Sequence, residues 1–414
     1  ADVTFNIETN GKGADKAAVF IYKLTGEKKK LITSVTGKLD AEGKAALKWN
    51  VKSPALWSPE NPELYFAKTV LYTAGKPGDG YGDIFGFRRF EIRGLNLYLN
   101  NKRIFFRGIN RHDEYFQGPF PCAGRAMTEQ QRTNDFKLIK EMNANVMRTA
   151  HYPNHPYNYY LTDRLGIMVI EEGGPIGSEQ AFSPGTAKKI KKQLYEMVMR
   201  DRNRPSIVMW SIGNEFGGDV WLHYIKQNAS YMRSIDDRPL TFTETPGRTA
   251  KQGYDQVDVL SVNEYFGWYS PVGLRPEMKT AELKMFITEP VKNVLERLHK
   301  DNPGKPIFIM ETGAEAIAGQ RSANPKKTIS RGDEEYQAEV LKWQIDELSK
   351  HDYVAGVFPW IFADFKTRRS GGTCQFTPHL NRKGVVAADR TRKQGFFFLK
   401  EAYAKIAKTY QDMK

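Results

Sequence analysis

Apolar and polar positions alternate along the first ninety residues and then stop alternating. Asp2-Val3-Thr4-Phe5-Asn6-Ile7 and Ala46-Leu47-Lys48-Trp49-Asn50-Val51 place an apolar side chain at every second position. That is the period of a strand with one buried face. Turn clusters rich in Gly, Asn, Lys and Pro separate the runs, and the stretches 65–72 and 87–92 supply the last strands. Short strands at this spacing predict an immunoglobulin-like β-sandwich over residues 1–93. From residue 94 short apolar runs alternate instead with segments of helical period, the pattern of βα repeats and a parallel sheet. The runs fall at 104–109, 144–149, 167–171, 207–212, 240–243, 257–262, 307–310 and 354–361, and the clearest helices near 128–142, 188–200, 219–234, 284–300 and 334–350. A last helix at about 395–409 would close the ring, so residues 94–414 are expected to form a (β/α)8 TIM barrel.

At 414 residues the chain is long enough for two or three domains with a large core. No apolar run approaches the roughly 20 residues of a membrane span, so no membrane partner is expected. The first residues, Ala-Asp-Val-Thr-Phe, read as neither a signal peptide nor an initiator. Either a cytoplasmic or an exported, processed location fits them. The net charge of +14, from 62 Lys and Arg against 48 Asp and Glu, favours polyanions in general. Many of the lysines, such as Lys188 to Lys192, fall on solvated faces, and no nucleic-acid-binding pattern is present; nucleic acid is not an expected partner. Two cysteines exclude a disulfide scaffold and a Cys-rich metal site, and no metal or cofactor is expected. Cys122 and Cys374 fall in the loops after the first and eighth barrel strands, where a disulfide and two free thiols are both open. A homo-oligomer is likewise left open.

The chemistry lies at the strand ends. Ile207-Val-Met-Trp-Ser-Ile-Gly delivers Asn214-Glu215, and Ile307-Phe-Ile-Met delivers Glu311. In a barrel all such ends open on one face, where residues far apart in sequence meet. Two carboxylates at that mouth, Glu215 and Glu311, are what double-displacement glycoside hydrolysis needs, one as acid and then base, the other as nucleophile. The other ends are polar or aromatic: Asn110-Arg111-His112, Arg148-Thr149-Ala150-His151, Asn263-Glu264-Tyr265 through Tyr269, and Trp360. A mixed carboxylate, amide and aromatic pocket suits a sugar, which offers hydroxyls and C–H faces. Arg148 is expected beside the nucleophile as a cation that favours its ionised form, and Tyr265 as a phenol reaching Glu311. His112 and His151 are scaffold or sugar contacts, Trp360 a sugar platform, and Glu172 and Glu315 supporting or surface groups.

These segments resemble glycoside hydrolase family 2, and within it the β-glucuronidases, over the whole chain. The family's Asn-Glu pair corresponds to Asn214-Glu215, which implies Glu215 as acid/base and Asn214 as a contact to the sugar 2-hydroxyl, and its nucleophile pattern corresponds to Glu311. The Asn110 and Arg148 segments are shared with β-galactosidases. Asn263-Glu264-Tyr265-Phe266-Gly267-Trp268-Tyr269 and Trp360 to Phe365 are closer to the glucuronidase form, and place Asn263 and Tyr269 among the substrate contacts. Asn381-Arg382-Lys383 is similar to the Asn-x-Lys motif that holds the sugar carboxylate, a task suited to an ammonium and an amide donor. The resemblance implies a retaining exo-β-glycosidase without cofactor, acting on a uronic-acid-containing carbohydrate. A β-galactosidase, or a non-catalytic glycan-binding fragment, is the alternative. Nothing in the sequence represents the family's N-terminal jelly-roll domain, so the pocket is expected to be incomplete, to be completed from elsewhere, or to take a more open substrate. The basic loop from Lys366 to Cys374 could meet additional acidic sugars.

Overall fold

The computed structural model describes residues 1–10, 13–115, 126–177, 184–215, 219–244, 253–269, 277–367 and 375–412. Cys122, Cys374 and most of the basic loop before Cys374 lie outside them.

The alternating segment forms two antiparallel sheets. Asp2–Glu8 pairs with Lys44–Asn50, and a four-stranded sheet runs in the order Lys28–Lys38, Lys16–Thr25, Tyr65–Thr73, Lys76–Phe85. Their facing apolar positions, Ala17, Val19, Ile21, Leu47, Tyr65 and Ala67, form one core, with Phe5, Trp49, Phe85 and Phe87 packed against it. A three-stranded meander, Phe90–Arg93, Asn96–Leu99 and Lys102–Ile104, leads onward. Leu97 and Leu99 from it join the barrel's interior cluster, so the meander seals that interior from below.

The barrel strands are Phe106–Asn110, Val146–Arg148, Met168–Glu172, Ile207–Ser211, the split pair Leu240–Thr241 and Thr243–Glu244, Leu260–Asn263, Ile307–Thr312 and Val354–Pro359. Every pairing between them is parallel. The first half of the fifth strand pairs with the fourth and its second half with the sixth, which completes the circuit around Phe242. The interior is packed by Phe106, Phe308 and Phe358, whose ring centroids lie 5.3 to 6.3 Å apart. Gly108 leaves room for them, since a Cβ there would come within 2.2 Å of the Phe358 ring.

Among the described residues seven α-helices surround the strands: α1 (Glu129–Glu141), α2 (Pro156–Leu165), α3 (Pro184–Asp201), α4 (Asp219–Arg233), α5 (Thr280–Asp301), α6 (Glu334–Leu348) and α7 (Gln394–Asp412). Helix α2 is absent from the sequence expectation. Its buried face is Asn158, Tyr159, Leu161, Thr162 and Asp163, which blurs the apolar period, although His155 caps it and Pro156 opens it. The first apolar run also differs: it breaks at Phe105, which packs into the cluster between strands and helices while Phe106 points into the barrel.

Candidate active site

The fourth strand is buried throughout and ends at Ser211, after which Gly213 (φ 147°) and Glu215 (φ 55°) turn the chain sharply. Two hydrogen bonds clamp this turn to the loop after the third strand. The Asn214 amide N–H donates to the Pro175 carbonyl (3.1 Å) and the Gly177 N–H donates to the Asn214 carbonyl (2.8 Å). The left-handed backbone of Glu215 is costly for an L residue, and the clamp holds it there. Across the mouth, Glu311 lies within the last turn of the seventh strand and is 4% exposed. Its Oε2 accepts from the Tyr265 hydroxyl (2.8 Å) and its Oε1 from Arg148 Nη1 (3.0 Å).

Arg148, fully buried at the end of the second strand, is the hub. Nη1 also donates to Asn110 Oδ1 (2.9 Å), Nη2 donates to Asn214 Oδ1 (2.7 Å), and the guanidinium pairs with Glu172 at 2.9 and 3.0 Å. Burial opposes ionisation of Glu172, yet Arg148 and then His151 outweigh it and hold the carboxyl at about 2. Asn263 donates from Nδ2 to Asn214 Oδ1 (3.2 Å) and to Glu215 Oε1 (3.3 Å). The first of these bonds and the one from Arg148 both fall on Asn214 Oδ1, so the Asn214 amide is oriented with its nitrogen as the donor.

Burial, and after it the negative charge of Glu311, raises the Glu215 carboxyl above its usual range. The two strand-end glutamates are therefore electrostatically unlike. One is gripped by a cation and a phenol, while the other is biased toward its protonated form. Next to them Glu264 is raised to about 8 by burial, with only the Phe266 amide and the Thr312 and Gln344 side chains opposing it.

Aromatic rings line one side. The His151 ring stacks on Trp360 (5.1 Å, 18°) while its Nδ1 lies 2.9 Å from Glu172. His112 stacks on Tyr152 and meets Trp360 edge-on at 5.1 Å. Trp360 is 7% exposed, so only a small part of the expected platform is accessible. On the other side, Asn381 pairs its short strand with Phe365–Lys366, and its Oδ1 accepts the Lys383 backbone N–H at 3.0 Å. Lys383 Nζ lies 4.8 Å from the Tyr269 ring centroid, 5.4 Å from Trp268 and 5.8 Å from Tyr265. Gly384 is required by the close passage of the next loop: a Cβ there would sit 2.1 Å from the Asp364 nitrogen.

The structure thus gathers Glu215, Glu311, Asn214, Asn263, Tyr265, Arg148 and His151 into one bonded network, with His112, Trp360, Tyr269, Asn381 and Lys383 in the walls around it. Sequence reasoning undervalued Glu172, which is buried in the network, and passed over Asn110. The signal for both was available, since each ends a barrel strand. Glu315 is also fully buried, accepting the backbone N–H groups of Gln375 and Arg382. Among the described residues no group of three or more His, Cys, Asp or Glu could hold a metal ion.

The family description "Glycosyl hydrolases family 2, TIM barrel domain" matches residues 90–408, and "Glycosyl hydrolases family 2" matches residues 1–88. The chain is 32% identical over 391 residues to a β-glucuronidase from Sus scrofa, an alignment covering 89% of this chain and 56% of that protein. Among solved structures it is similar to the Bifidobacterium dentium β-glucuronidase complexed with coumarin-3-O-glucuronide (TM-score 0.85, 27% identity, 97% of this chain and 62% of that one). It is also similar to the Eisenbergiella tayi β-galacturonidase bound to galacturonate (TM-score 0.81, 26% identity, 98% and 69%). The chain spans a little over half the length of the Sus scrofa relative.

Proposed function

The chain belongs to glycosyl hydrolase family 2, and from that premise we propose that it is a retaining exo-β-glycosidase whose substrates are β-D-glucuronides. The observation that carries the reading is the unlike pair of carboxyls at one mouth. Glu215, biased toward its acid form, protonates the departing glycosidic oxygen. Glu311, held by Tyr265 and Arg148, attacks the anomeric carbon and forms a glycosyl ester. Glu215, now the base, takes a proton from the water that cleaves the ester, and anomeric configuration is retained. The Asn214 amide nitrogen donates to the sugar 2-hydroxyl, and Asn263 keeps both Asn214 and Glu215 in place. His151, Trp360 and Tyr269 contact the ring, and His112 supports Trp360. Lys383 and Asn381 recognise the C6 carboxylate, which an ammonium among aromatic faces binds through charge-assisted hydrogen bonds. The relatives named above support this substrate class, because glucuronide and galacturonate share that carboxylate.

Hydrolysis of nitrophenyl β-D-glucuronide against nitrophenyl β-D-galactoside tests the reading, with Lys383→Ala and Glu311→Gln as controls. Glucuronide turnover lost in both variants is the expected result. Galactoside turnover indifferent to Lys383 would overturn the substrate and leave the two-carboxylate mechanism. No turnover of either substrate, with binding retained, would leave a glycan-binding protein instead.

A further inference from the structure

Trp268 carries a second cation besides Lys383. Arg331 follows the short strand Thr328–Ser330, which pairs with Glu277–Lys279 in front of α5. Its guanidinium carbon lies 3.9 Å from the Trp268 ring centroid, and its Nη2 donates to the Trp268 carbonyl at 3.2 Å. Arg331 is 9% exposed and Trp268 fully buried. Two donors are left over at this contact: Arg331 Nε and the Trp268 indole N–H find no acceptor among the described residues. A guanidinium offers five N–H donors and seldom stays buried without an anion. The carboxylate that acts on it, Glu315, uses its two oxygens on the amide N–H groups of Gln375 (2.9 Å) and Arg382 (3.2 Å). No ion pair joins the two side chains among the described residues. Burial accordingly works against the charge of Arg331 more than its surroundings support it. Lys383 Nζ, 5.4 Å from the same indole, adds a further positive charge to this wall.

We propose that Arg331 is a specificity-determining residue of this site: with Lys383 it makes a two-cation wall about Trp268 that selects sugars bearing a carboxylate over neutral ones. The inference rests on the uronide reading and deepens it. Lys383 alone would favour an anion as a point charge. A planar guanidinium fixed on an indole adds directional donors that a carboxylate fits and a hydroxymethyl group satisfies poorly.

The test compares the parent with Arg331→Met and Arg331→Lys. The readouts are the ratio of kcat/KM for nitrophenyl β-D-glucuronide to that for nitrophenyl β-D-glucoside, and the affinity for free D-glucuronate by isothermal titration. In Arg331→Met the ratio is expected to fall by about tenfold or more, through KM rather than kcat, with a parallel loss of glucuronate affinity. Arg331→Lys, which keeps the charge, should recover part of both. An unchanged ratio overturns the proposal. So does an equal loss on both substrates with a lowered Tm in both variants, which is the signature of a packing role. Failure of the uronide reading shows in the parent alone: glucoside turned over as well as glucuronide, and glucuronate bound no tighter than glucose, sink both ideas together.

Discussion

A guanidinium with no exposed surface, such as Arg148, needs an acceptor for each donor it turns toward the protein. It finds them on Glu172, Glu311, Asn110 and Asn214. Removing it leaves Glu172 as an uncompensated buried charge, so Arg148→Met should abolish turnover and cost about 3–5 kcal/mol of stability in chemical denaturation. Adding Glu172→Gln should return part of the stability and none of the activity. Glu215 is raised by burial and then by Glu311. Neutralising its neighbour in Glu311→Gln should therefore move the Glu215 titration midpoint downward, which carbon-13 NMR of the labelled carboxyl would read. Glu264, also raised by burial, makes stability depend on pH. Its carboxyl stands at about 8 in the fold against 4.5 ordinarily, so between those values the folded protein holds a proton that the unfolded chain has released. Stability then falls as pH rises from about 4.5 to about 8 and levels off above. Glu264→Gln, which cannot ionise, should show a Tm advantage over the parent that widens across that window; a constant difference would contradict the assignment.

At the scale of elements, short irregular turns such as Gly213 to Glu215 after the fourth strand aim side chains into the mouth. The turns are held by backbone contacts close enough to exclude a Cβ. At Gly384, Asp364 N, the Ala363 carbonyl carbon and Val386 O all lie within 2.4 Å of the Cβ position. Gly384→Ala should displace Lys383, raising KM for glucuronide while leaving far-ultraviolet circular dichroism close to that of the parent. The strands themselves were legible because they are nearly continuous apolar runs buried on both faces. Helix α2 was not, because Asn158, Thr162 and Asp163 face inward and satisfy their polarity through partners brought from elsewhere. Asp163, for instance, accepts the Ser206 N–H at 3.1 Å.

Across the whole molecule, the sandwich and the barrel are joined by specific contacts. Trp57 is fully buried, with its indole N–H donating to the Asp163 carbonyl (2.8 Å), and Arg88 donates to the Pro205 and Ile207 carbonyls. Trp57→Ala should cost about 3–5 kcal/mol. If this contact couples the two units, calorimetry of the parent will show one transition and the variant will split it. The sequence by itself determined the two architectures and the two strand-end glutamates, because periodicity and the burial of parallel strands are local properties of the chain. Trp360 at the mouth and the Tyr265 phenol near Glu311 were also foreseeable, since a barrel strand's end has only one place to go. Tertiary structure alone decided the rest. That Arg148 ties four groups together, that Glu172 is buried, and that Lys383 and Arg331 share one indole depend on which loops closure brings within about 6 Å of each other. Charge balance in a dry interior is a property of those meetings, and no stretch of sequence contains it.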